Sequence, residues 1–391
     1  MRTEGDLIKI NDWLLPLSWI YGAIVRFRNW LFDIGLKKSQ AFSIPIISVG
    51  NITVGGSGKT PHVEYLIRLL HDKVKIAVLS RGYKRKSRGY VLANADTTMP
   101  EIGDEPFQMH HKFNDIYVAV DTKRVRGIEN LQGDEETKDV DVVLLDDAFQ
   151  HRYVKPGINI LLVDYHRLII YDKMLPAGRL REPLSGKSRA DIVIITKCPK
   201  DLKPMEFRVL TKAMDLYPFQ KLYFTCIDYD RPTNIFDEQE IDIESLKEKH
   251  VLLLTGIASP KQMEHDLKPL CQDITSLSFG DHHQFKAKDV ERINETFASM
   301  PEPRIIITTE KDAVRLRETE DLDEGVKKAL FALPIKVRFM LDQEENFNDK
   351  IISYVRKNSR NSILAKRKDD HKSKDSNHSG NGTRTISFRD N

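Results

Sequence analysis

The chain predicts an α/β protein: a doubly wound, mostly parallel sheet followed by a second, smaller α/β domain. Short runs recur from about Ser43 that are apolar almost throughout, as strands covered by helices on both faces are. The segments between them are long enough for crossover helices, which parallel neighbours require. One run leads directly into a glycine-rich loop and then a helical pattern.

The expected strands of the first unit are Ile44–Val49, Ile76–Ser80, Ile116–Val120, Val140–Leu145, Ile158–Val163 and Ile192–Thr196, with helices over Lys59–His71 and Lys123–Leu131. A polar stretch near Asp230–Lys249, carrying Arg-Pro-Thr-Asn and several acids, marks a boundary. Strands Val251–Thr255, Ile274–Phe279, Arg304–Thr308 and Ile335–Phe339 then suggest a second α/β pattern. The expected division is an N-terminal helix over 1–36, a core over 37–230, the smaller domain with its linker over 231–355, and a basic tail over 356–391. The tail has almost no apolar content to offset the entropy of ordering and is expected to be disordered.

Composition narrows the function classes. With 391 residues there is room for two cores, and a formal net charge of +3 gives no global case for nucleic-acid binding. Cys198, Cys226 and Cys271 are far apart in sequence, with no Cys-x-x-Cys pair, and fit a reducing compartment. Asp12–Val25 reads DWLLPLSWIYGAIV and is followed by Arg26, Arg28 and Trp30. Spanning a bilayer takes about 20 apolar residues, and Glu4 and Asp6 spoil a signal peptide. Two readings stand: an amphipathic helix docking in a membrane interface with Trp13, Trp19 and Trp30, or one packed on the protein's own core.

The most informative segment is GNITVGGSGKTP, Gly50 to Pro61. Glycines 55, 56 and 58 allow backbone N–H groups to curl around phosphate oxygens at a helix N-terminus. In such a P-loop, Thr53, Val54, Gly55, Gly56, Ser57 and Gly58 form the cradle, Lys59 reaches the β- and γ-phosphates, and the Thr60 hydroxyl binds Mg²⁺. Thr53 departs from the general pattern, which starts with glycine. The expected strand Val140–Leu145 runs into Asp146 and Asp147, where a P-loop fold places the carboxylate of the Mg²⁺ shell. Thr196-Lys197-Cys198-Pro199 has proline where a guanine clamp needs aspartate, so ATP is the expected nucleotide.

Further polar clusters exceed what packing needs. SRGYKRK carries Arg81, Lys84 and Arg85 just after a strand, and GDEPF sets Asp104 and Glu105 at a helix start, where Asp104 also suits an N-cap. LPAGRLREP brings Arg179, Arg181 and Glu182 into a turn, and FGDHHQF holds Asp281, His282 and His283. Adjacent histidines diverge and lack a third ligand nearby, which speaks against zinc.

Taken in order, GNITVGGSGKTP, LSRGYKRK, GDEPFQM, DDAFQHR, LPAGRLREP, GIASP, FGDHHQF and TTEKDAVRL resemble the tetraacyldisaccharide 4'-kinase family from Trp13 to Phe339. Ala148 departs from that pattern, where glycine is expected. The resemblance implies a P-loop core, a smaller C-terminal α/β domain on a β-linker, and an N-terminal helix that docks on the cytoplasmic face of the inner membrane. It implies transfer of the ATP γ-phosphoryl group to the 4'-hydroxyl of the tetraacyl disaccharide 1-phosphate precursor of lipid A, by a monomer. The implied base is Asp104, assisted by His282 across the cleft. Lys59 and Asp147 join them in catalysis, and Thr60, Glu105, Asp146 and Asp147 serve the Mg²⁺. Arg81, Arg124, Gln150, His151, Arg181 and Glu182 are implied for the substrate's phosphate and sugar. Competing expectations are a P-loop kinase or ligase for a soluble small molecule and a membrane-associated nucleotide switch.

Overall fold

The structure is a computed structural model that describes residues 10–257, 260–280 and 283–358. Asp281, His282 and the tail from 359 onward lie outside the described residues.

The apolar runs form a nine-stranded sheet. Its strands are β1 (Ile46–Gly50), β2 (Ile76–Ser80), β3 (Val91–Leu92), β4 (Tyr117–Val120), β5 (Val142–Asp146), β6 (Ile158–Asp164), β7 (Ile192–Thr196), β8 (Lys221–Tyr229) and, much later in the chain, β14 (Ile335–Phe339). A second sheet holds β9 (Thr233–Asn234), β10 (His250–Thr255), β11 (Asp273–Ser278), β12 (Arg304–Thr309) and β13 (Leu330–Leu333). The spatial orders are β14-β8-β7-β6-β1-β5-β2-β4-β3 and β11-β10-β12-β13-β9. In the larger sheet every neighbour is parallel except β14 on β8 and β3 on β4.

Three further consequences follow from this order. First, β1 lies between β5 and β6, so the chain winds to one side of it and then to the other. That reversal opens a crevice at the carboxyl end of β1, where the glycine loop begins. Second, the expected strand Ile335–Phe339 does not join the second sheet. It returns to pair antiparallel with β8, Val337 opposite Ile227, because its half-exposed alternation suits an edge position. Third, four strands were not expected from the sequence: the two-residue β3 and β9, and the longer β8 and β13.

Helices cover both faces of the first sheet. α2 (Lys59–Leu70), α4 (Asp104–Lys112) and α11 (Glu344–Asn358) pack Leu66, Met109 and Phe347 over Val49, Val118 and Leu144. α5 (Arg124–Gly133) and α6 (Pro204–Met214) cover the other side through Ile128 and Leu210. Each such side chain is worth about 1.5–3 kcal/mol when fully buried. Short α3 (Met99–Ile102) leads into α4 through Gly103, whose φ of +91° and close approach to the Tyr83 carbonyl admit no Cβ. On the second sheet lie α7 (Lys261–Leu267), α8 (Ala287–Ser299), α9 (Glu310–Arg317) and α10 (Glu324–Ala329). α11 runs to Asn358, past the expected start of the tail at Arg356.

α1 (Leu15–Asp33) packs inside out. Its buried residues include Ser18, Gly22 and Asn29, while Trp19 is 70% and Ile24 63% exposed. Ser18 Oγ accepts from the Ala177 N–H at 2.9 Å and donates to the Met174 carbonyl at 3.0 Å. Arg28 donates to the Gln150 carbonyl at 2.9 Å and Tyr21 Oη to the Arg181 carbonyl at 3.1 Å. Among the described residues no helix is long and apolar enough to cross a membrane.

Candidate active site

The glycine loop leaves β1 and is shaped from several sides. Gly55 and Gly58 take φ of +115° and +80°, a conformation that turns successive N–H groups inward. Asn51 Nδ2 donates to Ser57 Oγ at 2.7 Å. The Val54 N–H donates to the Arg179 carbonyl and the Arg181 N–H to the Ile52 carbonyl, each at 2.8 Å, so the LPAGRLREP turn runs alongside the loop. Thr53 bridges Leu180 in the same contact. Thr196 Oγ1 donates to the Ser57 carbonyl at 3.0 Å, and Lys197 Nζ holds the Gly56 carbonyl and Asp164. The Thr-Lys that failed as a base clamp therefore braces the phosphate loop from below.

Lys59 and Thr60 open α2. Lys59 Nζ lies 3.7 Å from Asp147 Oδ1, and Arg181 Nη2 lies 3.3 Å from the same oxygen. Burial pushes the Asp147 carboxyl up, but Lys59 and Arg181 outweigh it and hold it below the usual carboxylate range. Asp146 is fully buried. Burial first, then the charges of Glu105 and Asp147, push its carboxyl up to about 7. Its Oδ2 accepts from Ser80 Oγ at 3.0 Å, while its Oδ1 has no hydrogen-bond partner. A buried, repelled carboxylate oxygen at the end of a central strand is where a cation would relieve the strain. The donor set of carboxylates plus the Thr60 hydroxyl suits Mg²⁺, which keeps waters and phosphate oxygens in its shell. Among the described residues, no group of three His, Cys, Asp or Glu side chains is arranged to hold a metal by itself.

Asp104 and Glu105 occupy the first turn of α4, with Gly103 in the N-cap position that the sequence reading gave to Asp104. Asp104 is held instead by Arg315 of α9, and Glu105 Oε1 lies 3.8 Å from Lys311 Nζ. The structure thus brings Lys59, Asp146, Asp147 and Glu105 into one electrostatic cluster, with Asp104 beside Glu105 at the seam between the two sheet units.

The predicted substrate residues divide. Arg124 is wholly buried, donating to the carbonyls of Asp121 at 2.5 Å and Asp146 at 3.0 Å. Burial lowers its guanidinium to about 10. Arg181 also donates to Asn51 Oδ1 at 2.5 Å, linking strand end and loop. Gln150 Nε2 donates to the Asn51 carbonyl at 2.8 Å. His151 is kept neutral, lowered to about 4 by burial and then by Arg124, Arg28 and Arg81. Arg81 is exposed at the end of β2. Glu182 is 1% exposed and pairs with Arg189, with Arg28 Nη1 at 3.9 Å. Arg85, grouped with Arg81 in sequence, turns inward to the carbonyls of Val120 and Gly89. His283 Nε2 lies 2.9 Å from Asp289 Oδ2 at the start of α8.

Sequence reasoning missed Asn51, Lys197, Asp164, Lys311 and Arg315. Arg315 sits inside the motif TTEKDAVRL, so the signal was present, but its partner is 211 residues away.

Comparison with known proteins came down on one group. A family model described as tetraacyldisaccharide-1-P 4'-kinase matches residues 10–356. The tetraacyldisaccharide 4'-kinase of Phocaeicola vulgatus is 59% identical over 362 residues, covering 92% of this chain and 99% of that protein. That of Bacteroides fragilis is 52% identical over 376 residues, covering 95% and 100%. A crystal structure of the "apo" form of LpxK from Aquifex aeolicus in complex with ATP superposes with a TM-score of 0.66 at 32% identity, covering 88% of this chain and 98% of that one.

Proposed function

The chain belongs to the tetraacyldisaccharide 4'-kinase family, and from that premise we propose how its own residues perform the transfer. The activity is ATP-dependent phosphorylation of the tetraacyl disaccharide 1-phosphate, a lipid A precursor, at its 4'-hydroxyl, yielding lipid IV-A. The observation that carries the reading is the meeting of Lys59 and Asp147, 3.7 Å apart, with the buried, repelled Asp146 and Glu105.

In this reading the loop N–H groups and Lys59 orient the triphosphate, and Arg181 adds positive charge beside Asp147. Asp146, Asp147, Glu105 and the Thr60 hydroxyl would hold Mg²⁺ and its waters, which supplies charge neutralisation on the β- and γ-phosphate oxygens. Asp104 takes the proton of the 4'-hydroxyl as its oxygen bonds to the γ-phosphorus; the bond to the β,γ-bridging oxygen breaks and ADP departs. His282 would orient that carboxylate. Arg81, Gln150 and neutral His151 are suited to the acceptor's sugar and phosphate, while Arg124 and Glu182 act from behind by fixing the backbone of Asp146 and the side chains of Arg189 and Arg28.

We propose further that the exposed side of α1 docks on the cytoplasmic face of the inner membrane. Its outward Trp19, Ile20, Ile24 and Phe27 are each at least 60% exposed, which suits the headgroup boundary. Because α1 holds the Arg181 and Gln150 backbone from its inner side, docking would present the cleft to an acceptor whose chains stay in the bilayer.

The test is transfer of label from γ-labelled ATP to detergent-dispersed tetraacyl disaccharide 1-phosphate with Mg²⁺, alongside Lys59→Ala. Label in the lipid, lost in the variant, supports the reading; nucleotide binding without labelled lipid sinks it.

A further inference from the structure

The motif TTEKDAVRL is not used by the chemistry above, although it spans the N-cap Thr309 and all of α9 but its last residue. Thr309 Oγ1 accepts from the Asp312 N–H at 3.1 Å and donates to Asp312 Oδ2 at 2.7 Å, closing the helix's first turn. Asp312 is completely buried and accepts also from the Gly256 N–H, at 2.8 Å, just after β10. Its other oxygen lies 3.2 Å from Arg315 Nη1. The second terminal nitrogen of Arg315 then crosses to the first sheet unit and donates to Asp104 Oδ2. Arg315 is 4% exposed. A continuous path therefore runs from the backbone of one unit, through a carboxylate and a guanidinium, to a carboxylate on the other.

Two more ion pairs flank this path on the same pair of helices. Lys311 faces Glu105, and Lys112 at the far end of α4 bridges Glu310 and, at 2.8 Å, Glu64 of α2. α4 begins with two carboxylates and ends in a lysine, and α9 meets them with Arg315, Lys311 and Glu310 in that order. The loop before α4 is pinned as well, since a side chain on Gly103 would strike the Tyr83 carbonyl at 2.8 Å. Arg315 reaches Asp104 from the second unit in a charge-assisted bond between two side chains that are largely out of water.

We infer that Arg315 is a positioning residue for phosphoryl transfer: carried by the second unit, it aims the Asp104 carboxylate on the first. Its planar fork spends one nitrogen on Asp312 and the other on Asp104, which fixes the angle as well as the place of the acceptor oxygen. Docking of the two units thereby becomes part of assembling the catalytic carboxylate. The inference rests on Asp104 being the proton acceptor, and the experiment separates the two.

Full-length enzyme is assayed at steady state with ATP, Mg²⁺ and tetraacyl disaccharide 1-phosphate as Arg315→Ala, Arg315→Lys, Asp104→Asn and the Arg315→Ala/Asp104→Asn double variant, with thermal melts of each. Arg315→Ala is expected to lower kcat by about 100-fold, as a misaimed catalytic group does, with both KM values within roughly threefold. Arg315→Lys, which keeps the charge but cannot bond both carboxylates, should recover about tenfold of that loss. In the Asp104→Asn background the alanine should cost nothing more, because its route of action is already gone. A rise in KM with kcat intact, or a full extra loss in the double variant, overturns the inference while leaving the base assignment standing. Unchanged turnover in Asp104→Asn overturns the base assignment and the inference with it. Should Arg315→Ala fail to fold, Arg315→Lys carries the same test, with a kcat deficit at unchanged KM as the supporting result and unchanged kcat as the opposing one.

Discussion

Lys197 Nζ lies 2.8 Å from Asp164 Oδ2 at the ends of two neighbouring strands, and the same ammonium group holds the Gly56 carbonyl of the phosphate loop. The loop is thus supported by a charge that never needs to touch nucleotide. Replacing Lys197 by methionine keeps the stem and removes the bond. The expected outcome is a KM for ATP raised about tenfold with kcat changed less than threefold, since a bond to a charged group is worth about 1.5–3 kcal/mol. Equal losses in both constants would place Lys197 in the transition state instead.

Asp104 and the nucleotide cradle are on different elements, which separates binding from turnover. Asp104→Ala should bind ATP within about threefold of the parent by titration while kcat falls roughly 10²- to 10⁴-fold, the usual reach of a general base. Loss of ATP affinity in proportion to turnover would remove the base assignment.

His62, one turn into α2, accepts no proton at neutral pH: burial lowers it to about 4 against the opposing bond to the Gly58 carbonyl. Its folded value lies below its unfolded value near 6.5, so the unfolded chain binds the extra proton between those limits. Stability is therefore full above about pH 6.5 and falls as pH drops toward 4, by roughly 3 kcal/mol from this group. His151, lowered in the same sense by burial and nearby arginines, adds to the same acid limb. Urea unfolding of His62→Gln across this window should show a flatter pH slope; an unchanged slope would assign the acid loss to other groups.

The outward side of α1 can be altered without touching its inward contacts. Trp19→Glu combined with Ile20→Glu and Phe27→Glu should cut recovery on anionic vesicles about tenfold or more, while the melting temperature holds within a few degrees. Vesicle binding equal to the parent's would send the search for the lipid contact elsewhere.

Much of this arrangement was legible because it is local. β7 and β14 have the bounds expected from their apolar or β-branched runs, and α2 starts at Lys59, where the glycine loop ends. Asp146 and Asp147 stand at the end of β5, as a strand running into acids suggests. What escaped was whatever depended on a distant partner. β8 is half-exposed toward its carboxyl end and carries Thr225, whose hydroxyl lies 3.1 Å from His62 Nε2, yet its sequence KLYFTCIDY has no turn signal to mark it out. β14 has the right length and the wrong assumed neighbours, since periodicity states which face is buried and never which sheet receives the strand. Which side of α1 faces the protein was not legible for the same reason. Ser18 and Asn29 look solvent-bound until Met174, Ala177 and Arg152 are seen to supply their partners or those of their backbone.

The return of β14 to β8 has one more consequence. The Asp230 N–H donates to the Pro334 carbonyl at 3.0 Å, and Tyr229 stands opposite Ile335, so the chain departs and comes back at a single point. In genetic terms residues 231–333 form a cassette spliced into a β-hairpin. Excising it and joining the ends with a tight turn would leave the nine-stranded sheet with all its strands and α11 still seated. The cassette carries Arg315 to Asp104, while the glycine loop and Lys59 lie wholly outside it.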